Sequence, residues 1–284
     1  MIPFLHIPWF PWPIPTFGLM VATALLVAGY ILQADLNRRA NPITERPKGS
    51  KFVHSDPHRD DGFLIVTIAG IAGLLGARLY HVLETPKEFF ADPWPMLFTR
   101  YGFAWFGGFL GGFVALIILA RRLKVPLLEF FDICAPAATI GYAIGRIGCL
   151  LSGDGDYGRP TLLPWAMAFP NGVVPTTETC VQQGWPASCS VHPTPIYEFL
   201  IWLAIAALLW QLGSRALRGR MVSGEIFCAY LVFTGLARFW VEFLRINPRS
   251  FFGLTNAQAA SLVSVVLGGL LYWRIKSRRS TAEA

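Results

Sequence analysis

Seven long apolar segments limit what this chain can fold into more than any other feature of its sequence. Most approach the length of about 20 apolar residues that a helix needs to cross a bilayer. Charged residues make up only 14% of the chain, about half the share typical of soluble domains. The sequence therefore predicts an all-α polytopic membrane protein, with seven transmembrane helices in a single domain over 1–284. The segments lie at about 17–32, 62–83, 101–120, 127–151, 194–212, 224–244 and 257–273.

Basic residues predict the orientation of these helices. Clusters of Lys and Arg follow the first, third, fifth and seventh segments, and the loops after the other segments contain fewer. Because such clusters are enriched on the cytoplasmic side, we expect the N-terminus outside and the C-terminus inside. The long loop at about 152–191 would then form a small periplasmic head. The basic residues form no continuous stripe, so we do not expect nucleic-acid binding despite the net charge of +7.

The first 16 residues combine repeated prolines with aromatic side chains. The prolines prevent a helix there, and Trp rings favour the membrane interface. No charged residue precedes the first apolar segment, unlike in a cleavable signal peptide. We interpret residues 1–16 as an interfacial arm on the outer membrane surface.

Cysteine spacing predicts a disulfide rather than a metal site. Cys180 and Cys189 lie in the predicted head, where an oxidising compartment would allow them to pair. Cys134, Cys149 and Cys228 lie within or beside apolar segments and should be small buried side chains. The Cys and His spacings of metal sites do not occur in the sequence, so we expect no metal.

The stretch from Gly145 to Gly158 joins the fourth apolar segment to the predicted head. Arg146 lies in apolar surroundings, where an arginine costs about 2.5–3.5 kcal/mol and normally faces a partner, a cavity or a ligand. Glycines leave backbone amides free to bind an anion, and arginine beside them suits a phosphate. We therefore expect a lipid-phosphate site, the alternative being a tilted helix whose arginine reaches the headgroups. The glycines expected there are Gly145, Gly148, Gly153 and Gly158.

Other ionisable residues interrupt the apolar segments at a similar depth. Arg238 and Glu242 are four residues apart and so lie on one face of a helix. In the predicted orientation they lie near the outer membrane end, as do Arg146, His192 and Glu198. Their common depth indicates one site, although each residue alone could equally form an ion pair between helices or extend to the headgroups.

Glycine pairs in the third segment have a simpler interpretation. Gly107 and Gly108 are followed four residues later by Gly111 and Gly112. Small residues at this spacing let membrane helices approach closely. We expect the third segment to pack tightly against a neighbouring helix.

Short motifs along the chain fit together as a set. They are Phe17–Met20, Gly76–Tyr80, Phe106–Gly108, Gly145–Gly148, Ser152–Asp154, Tyr157–Arg159, His192–Glu198 and Arg238–Phe243. In this order, over nearly the whole chain and on a plan of seven spans, the set resembles the prolipoprotein diacylglyceryl transferase family.

The resemblance implies an enzyme that transfers the sn-1,2-diacylglyceryl group of phosphatidylglycerol to the lipobox cysteine thiol of preprolipoproteins. A thioether forms and glycerol phosphate leaves. The partners would be phosphatidylglycerol, the preprolipoprotein signal peptide and the bilayer of the bacterial cytoplasmic (inner) membrane, without a cofactor. The catalytic residues it implies are Arg146, Arg238, His192, Asp154 and Glu242. Both arginines and the four glycines named above would bind the lipid phosphate, and the supporting residues would be Arg78, Tyr80, Tyr197 and Glu198.

The chain departs from the family pattern at several positions. Phe106 stands where the family usually has the histidine favoured as catalytic base, and phenylalanine cannot accept a proton. The base would then be His192, Asp154 or Glu198, or the arginines alone would lower the pKa of the thiol. The other departures are Cys149 for Asn, Phe17 for Tyr, and Asp154 for Glu with one extra residue beside it.

Two other functions stay open at this point. The missing histidine fits a non-catalytic or altered-specificity paralogue that binds phospholipid or lipoprotein. A small-anion transporter would need polar residues that continue to the inner face. Only Arg78 and Asp132 are candidates there, and the sequence leaves their depth open.

Overall fold

Long apolar helices build this fold. The computed structural model describes residues 2–6, 8–9, 12–40, 61–94, 104–219, 221–250 and 252–283. Two strands, β1 (Phe4–Leu5) and β2 (Ile14–Pro15), pair antiparallel ahead of the first helix, and a 3-10 turn at Glu242–Leu244 continues the eighth. The helices are α1 (Thr16–Ala40), α2 (Asp61–Glu84), α3 (Pro86–Ala91), α4 (Trp105–Arg122), α5 (Leu127–Ser152), α6 (Thr176–Gln182), α7 (Thr194–Leu217), α8 (Glu225–Val241) and α9 (Asn256–Glu283).

Six of the described helices are long and apolar enough to cross a membrane: α1, α2, α5, α7, α9, and α8 with its 3-10 turn. This confirms the all-α prediction and agrees with a polytopic membrane protein. The third predicted span corresponds to α4, and whether it crosses the bilayer stays a prediction, as do the orientation and the periplasmic location of the head. The basic residues Arg46, Lys48, Lys51 and Arg100 lie outside the described residues.

Helix α5 is the central helix of the bundle. More than half of its apolar stretch is buried, against 17–28% in the other five candidate spans. It packs against α1, α7 and α8. Small residues permit the contact with α1, because a Cβ at Gly148 would lie 3.1 Å from the Cβ of Met20 and 3.2 Å from the Phe17 ring. A charged side chain near the end of α5 is therefore enclosed by three neighbours.

Helices α2 and α4 pack against each other through glycine. A Cβ added at Gly107 would collide with the backbone of Gly76 and with Tyr80, and one added at Gly111 would collide with the backbone of Ala72. The neighbouring Gly108 has more room, since its Cβ would lie 3.5 Å from that of Ala77. The predicted close packing of the third segment is confirmed.

At the end of the bundle opposite Arg146, polar residues serve the packing of helices. Asp132 lies 14 residues before Arg146 (132 to 146) on α5, or about 21 Å along the helix. Its carboxylate accepts hydrogen bonds from the backbone amides of Gly224 at 2.6 Å and Phe227 at 2.7 Å. Asp132 thus caps the N-terminus of α8, where four amides lack helical partners.

The segment between α5 and α7 corresponds to the predicted head, here called the head, and its position outside the membrane stays a prediction. It contains the short helix α6 and a disulfide between Cys180 and Cys189, whose Cα atoms are 5.9 Å apart. Tyr157, Phe169 and Val191 pack with Cys180 in a small apolar cluster. The predicted disulfide is confirmed. At the other end of the chain, the predicted interfacial arm forms the β1–β2 hairpin, and its position on the membrane surface stays a prediction.

Candidate functional site

The candidate site begins where α5 ends. Gly153 caps the helix in the left-handed conformation, with φ of 59°, and its amide donates to the carbonyl of Cys149 at 3.0 Å. Such a cap favours glycine because other residues are strained there. The chain then reverses, which brings Asp154 and Asp156 back beside Arg146.

A second contact adds the residues that follow α8. Gly158 and Arg245 form an antiparallel bridge, and the amide of Arg159 donates to the carbonyl of Leu244 at 2.8 Å. This approach requires glycine, because a Cβ at Gly158 would lie 2.6 Å from the carbonyl oxygen of Leu244 and 2.9 Å from the Cβ of His192. The bridge places Arg245 beside the acidic turn, the turn after α5 that contains Asp154 and Asp156.

Three arginines and three carboxylates then close into a ring of alternating charge, the charged ring. The ion pairs link each member to the next and the last member to the first. Every member therefore faces at least two opposite charges. Around the ring the members are Arg146, Glu198, Arg238, Glu242, Arg245 and Asp156.

Glu198 of α7 contacts all three arginines, with Nη1 of Arg245 the most distant at 3.6 Å from its Oε2. Its Oε2 lies 2.5 Å from Nη2 of Arg146, and its Oε1 lies 2.5 Å from Nη1 of Arg238. The hydroxyl of Tyr142 also donates to Oε1, at 3.2 Å. Glu198 is fully buried, so its charge depends on these partners.

Glu242 and Asp156 complete the ring. Glu242 lies 2.8 Å from Nη2 of Arg238 and 3.8 Å from Nε of Arg245, and it accepts a hydrogen bond from Asn247 at 2.6 Å. Asp156 accepts hydrogen bonds from Arg245 and, at 2.5 Å, from Nη1 of Arg146. Burial alone would raise the pKa of Asp156, but the two arginines outweigh it and lower that pKa.

The ring is neutral as a whole but retains hydrogen-bonding capacity. Three positive and three negative charges cancel, which offsets the cost of removing each from water. Among the described residues, the buried Nε atoms of Arg146 and Arg245 have no hydrogen-bond partner. Unsatisfied buried donors are costly, and a phosphate oxygen would satisfy them.

Asp154 stays outside the ring. Its Oδ1 accepts a hydrogen bond from the amide of Asp156 at 3.3 Å, and a carboxylate oxygen lies within 4.8 Å of the thiol sulfur of Cys149. That sulfur lies 3.2 Å from Nη1 of Arg146. Burial and, after it, the charge of Asp156 raise the pKa of Asp154. Although Cys149, Asp154 and Asp156 place three ligand atoms within 4.8 Å of one another, guanidinium groups take both oxygens of Asp156, which does not suit a cation.

His192 and Tyr197 form a separate polar chain near the start of α7. The indole N–H of Trp165 donates to the hydroxyl of Tyr197 at 2.7 Å, and this hydroxyl lies 3.3 Å from Nδ1 of His192. Burial lowers the pKa of His192. The backbone carbonyl of His192 also accepts a hydrogen bond from the amide of Gly158. This bond connects the hydrogen-bonded side chains of Trp165, Tyr197 and His192 to the acidic turn.

The structure gives the predicted phosphate-binding glycines other roles. The amides of Gly153 and Gly158 already donate to the carbonyls of Cys149 and His192, so the expectation of free amides at these two positions is wrong. Gly148 packs against α1, as described above. Gly145 alone borders open space, because a Cβ there would meet nothing within 4 Å.

Three residues of the family motifs lie on α2 and α4 rather than in the charged ring. Arg78 and Tyr80 are on α2, and Tyr80 packs against Gly107. Phe106, in the first turn of α4, is more than half exposed. The structure brings together Arg146, Glu198, Arg238 and Glu242, and it places Asp154 directly beside them.

Sequence reasoning missed Arg245 and the role of Asp156. A signal for Arg245 was present, because it follows Glu242 by three residues and Arg238 by seven, the spacing of one helical face. Asp156 could not be told from Asp154 by spacing, since the turn at Gly153 decides which carboxylate meets the arginines.

Comparison with known proteins agrees with these motifs. The family model for prolipoprotein diacylglyceryl transferase matches residues 4–274. The chain belongs to this family. Similar relatives named phosphatidylglycerol–prolipoprotein diacylglyceryl transferase occur in Gloeobacter violaceus, with 33% identity over 94% of this chain and 93% of the relative, and in Synechococcus elongatus, with 31% identity over 96% and 88%. A relative of the same name in Leifsonia xyli is 28% identical over 98% and 79%.

Several residues of the charged ring belong to the motifs that are typical of the prolipoprotein diacylglyceryl transferase family. Its members come from positions far apart in the chain, on α5, α7 and α8 and in the turns after α5 and α8. Four of them, Arg146, Glu198, Arg238 and Glu242, lie in the short motifs quoted for the resemblance. Folding therefore gathers three of the family's scattered motifs at one end of the bundle.

Proposed function

We propose that this chain transfers the sn-1,2-diacylglyceryl group of phosphatidylglycerol to the lipobox cysteine of preprolipoproteins. The names of its relatives over nearly the full length support this activity. The carbon–sulfur bond of a thioether forms, and the bond from glyceryl carbon to phosphate oxygen breaks. The enzyme would be a multi-pass protein of the bacterial cytoplasmic (inner) membrane with its N-terminus and head outside.

The observation that carries this proposal is the convergence of Arg146, Arg238 and Arg245 in one buried cluster. A phosphate gains negative charge as its ester bond breaks, and guanidinium groups placed in advance stabilise that charge. Nε of Arg146 makes no hydrogen bond among the described residues and can bind a phosphate oxygen without first breaking an ion pair. Nε of Arg245 lies 3.8 Å from Glu242 and would exchange this longer contact for the phosphate.

Substrate can reach the ring at two of its members. The side chains of Arg238 and Asp156 are 22% and 32% exposed, whereas the other four are at most 8% exposed. A phosphate that replaces Asp156 as the partner of Arg146 or Arg245 would exchange one anion for another. The ring would thereby keep its charge balance when the lipid binds.

The second candidate function is a paralogue that binds phospholipid or lipoprotein without catalysis. Phe106 favours it, because the family's usual base is missing at that position. A transporter is less well supported, because Asp132 caps α8 instead of continuing a polar path from the charged ring.

Complementation separates catalysis from binding alone. Expressed in a bacterium depleted of its own diacylglyceryl transferase, the chain should restore growth and the lipidation of a reporter lipoprotein. The purified protein should transfer labelled diacylglycerol from phosphatidylglycerol to a lipobox peptide, but not to the same peptide with serine in place of cysteine. Phosphatidylglycerol binding without transfer in either assay would support the paralogue and refute the enzyme.

A further inference from the structure

The charged ring narrows the choice of catalytic base. Phe106 cannot accept a proton, and a thiol with a pKa of about 8.5 is mostly protonated at neutral pH. Glu198 and Glu242 each contact at least two arginines and are almost fully buried, so an incoming thiol cannot reach them directly. Asp156 is also held between two arginines, which lower its pKa and make it a poor proton acceptor.

Asp154 is the exception among the carboxylates gathered at this end of the bundle. The structure shows no ion pair for it within the described parts of the chain, and it is partly accessible. A carboxylate oxygen of Asp154 lies within 4.8 Å of the Cys149 sulfur, and that sulfur lies 3.2 Å from Nη1 of Arg146. The site thus already holds one thiol between a carboxylate and a phosphate-binding arginine.

We propose that Asp154 is the general base that removes the proton from the lipobox thiol. This inference rests on the transferase activity proposed above. The thiol proton moves to a carboxylate oxygen of Asp154, and the sulfur forms its new bond to the glyceryl carbon next to the phosphate. The electron pair of the broken carbon–oxygen bond stays on glycerol phosphate, whose charge the arginines stabilise. Asp154 then releases its proton to the departing phosphate or to water.

The surroundings of Asp154 suit this role. The charged and titratable groups that face it are Arg146 and Cys149 from α5, and Asp156 and Tyr157 from the turn. The head segment packed on the turn contributes Gly172 and Val174, which carry no charge. Burial and, after it, the charge of Asp156 outweigh the opposing effect of Arg146, so the pKa of Asp154 is raised. A raised pKa makes a carboxylate a better base near neutral pH.

His192 is less suited to accept this proton when the Tyr197 hydroxyl donates to it. The N–H of Trp165 can only donate and occupies one lone pair of the Tyr197 hydroxyl, whose proton is then available to Nδ1 of His192. A neutral imidazole with Nδ1 as acceptor carries its proton on Nε2. In this arrangement His192 offers a hydrogen-bond donor rather than a free lone pair.

The test compares thiol and selenol acceptors. The full-length protein would be assayed with a lipobox peptide and with its selenocysteine counterpart, because a selenol is far more acidic and needs no base. Asp154→Asn should slow transfer to the thiol by about 10²–10⁴-fold at neutral pH. The defect should shrink as pH approaches the thiol pKa, and it should nearly disappear with the selenocysteine peptide.

Control variants distinguish a role of Asp154 as general base from its other possible roles. Asp154→Glu keeps a carboxylate and should retain more activity than Asp154→Asn, while Glu178→Gln, on the exposed surface of the head, should behave as wild type. Arg146→Lys should stay slow with both acceptors. If Asp154→Asn transfers to the thiol at the wild-type rate, or stays equally slow with the selenol, Asp154 is not the base. If the wild-type protein modifies neither peptide, the proposed function fails and the base assignment fails with it.

Discussion

At the scale of single residues, the planar fork of arginine explains the geometry of the charged ring. Arg146 contacts Asp156 through Nη1 and Glu198 through Nη2, and Arg238 divides its two Nη atoms between Glu198 and Glu242. These two guanidinium groups therefore each bridge two carboxylates, and that of Arg245 contacts all three. Lysine offers a single charged nitrogen and cannot hold both partners in this way.

This geometry predicts that charge alone does not support activity. Arg146→Lys and Arg238→Lys should each reduce transfer of labelled diacylglycerol by about 10²–10³-fold, the typical loss for a contact formed mainly in the transition state. Arg249→Lys, at an exposed position after α8, is the matched control and should leave the rate unchanged. Thermal unfolding would verify that each variant is folded. Wild-type rates for both ring variants would show that these arginines serve only the structure.

Some of these residue contacts could be predicted from the sequence, and others could not. The pairing of Arg238 with Glu242 follows from helical spacing alone. Glu198 and Arg146 could be assigned to the same depth, but not to direct contact, because that depends on how α5 and α7 pack. The roles of Asp154 and Asp156 depend on one left-handed glycine and on a bridge to residues almost 90 positions away (158 to 245). Local spacing carries no information about either.

At the scale of elements, the α2–α4 contact depends on individual glycines. Gly107 and Gly108 are adjacent in sequence, but an added Cβ would overlap the backbone of the partner helix at Gly107, whereas at Gly108 it would lie 3.5 Å from the carbonyl oxygen of Gly73. The repeat of small residues predicted close packing, whereas the face that makes contact could be seen only in the structure.

Alanine substitutions should separate these two glycines. Gly107→Ala should lower the thermal stability of the purified protein, because its Cβ would overlap Gly76 and Tyr80 and force α2 and α4 apart. Overpacking of this kind typically costs about 1–3 kcal/mol. Gly108→Ala is the matched control and should be neutral or slightly stabilising, since alanine favours helix. Equal melting temperatures for the two variants would contradict the packing described for α4.

At the scale of the whole molecule, the sequence predicted the helices well and their arrangement poorly. Apolar length and composition located the spans, because a helix in lipid must satisfy its own backbone. The central position of α5 and the contacts of the head depend on packing between distant segments. The orientation across the bilayer rests on the basic clusters, and one of these lies partly in residues 41–60, outside the described parts of the chain.

Reporter fusions test that orientation. Fusions after Arg122, which ends α4, and after Arg218, which follows α7, should report the cytoplasm because basic residues stay inside. A fusion after Lys51 should do the same, and one after Trp185 in the head should report the periplasm. A periplasmic signal at any of the first three positions would refute the orientation and the predicted outer position of the charged ring.

The charged ring also has a consequence for biosynthesis. Arg146 is made first, Asp156 ten residues later, Glu198 after 52 and Arg245 after 99, counted along the chain from 146. At about 5–20 residues per second, the ring therefore stays incomplete for about 5–20 s after α5 is made. Until Glu198 is made, about 3–10 s after Arg146, α5 carries an arginine with at most one ring carboxylate. We therefore expect α5 to wait near the membrane surface until α7 emerges. A chain interrupted before Arg238 would leave Glu198 with fewer partners in the bilayer, and we expect membrane proteases to remove it.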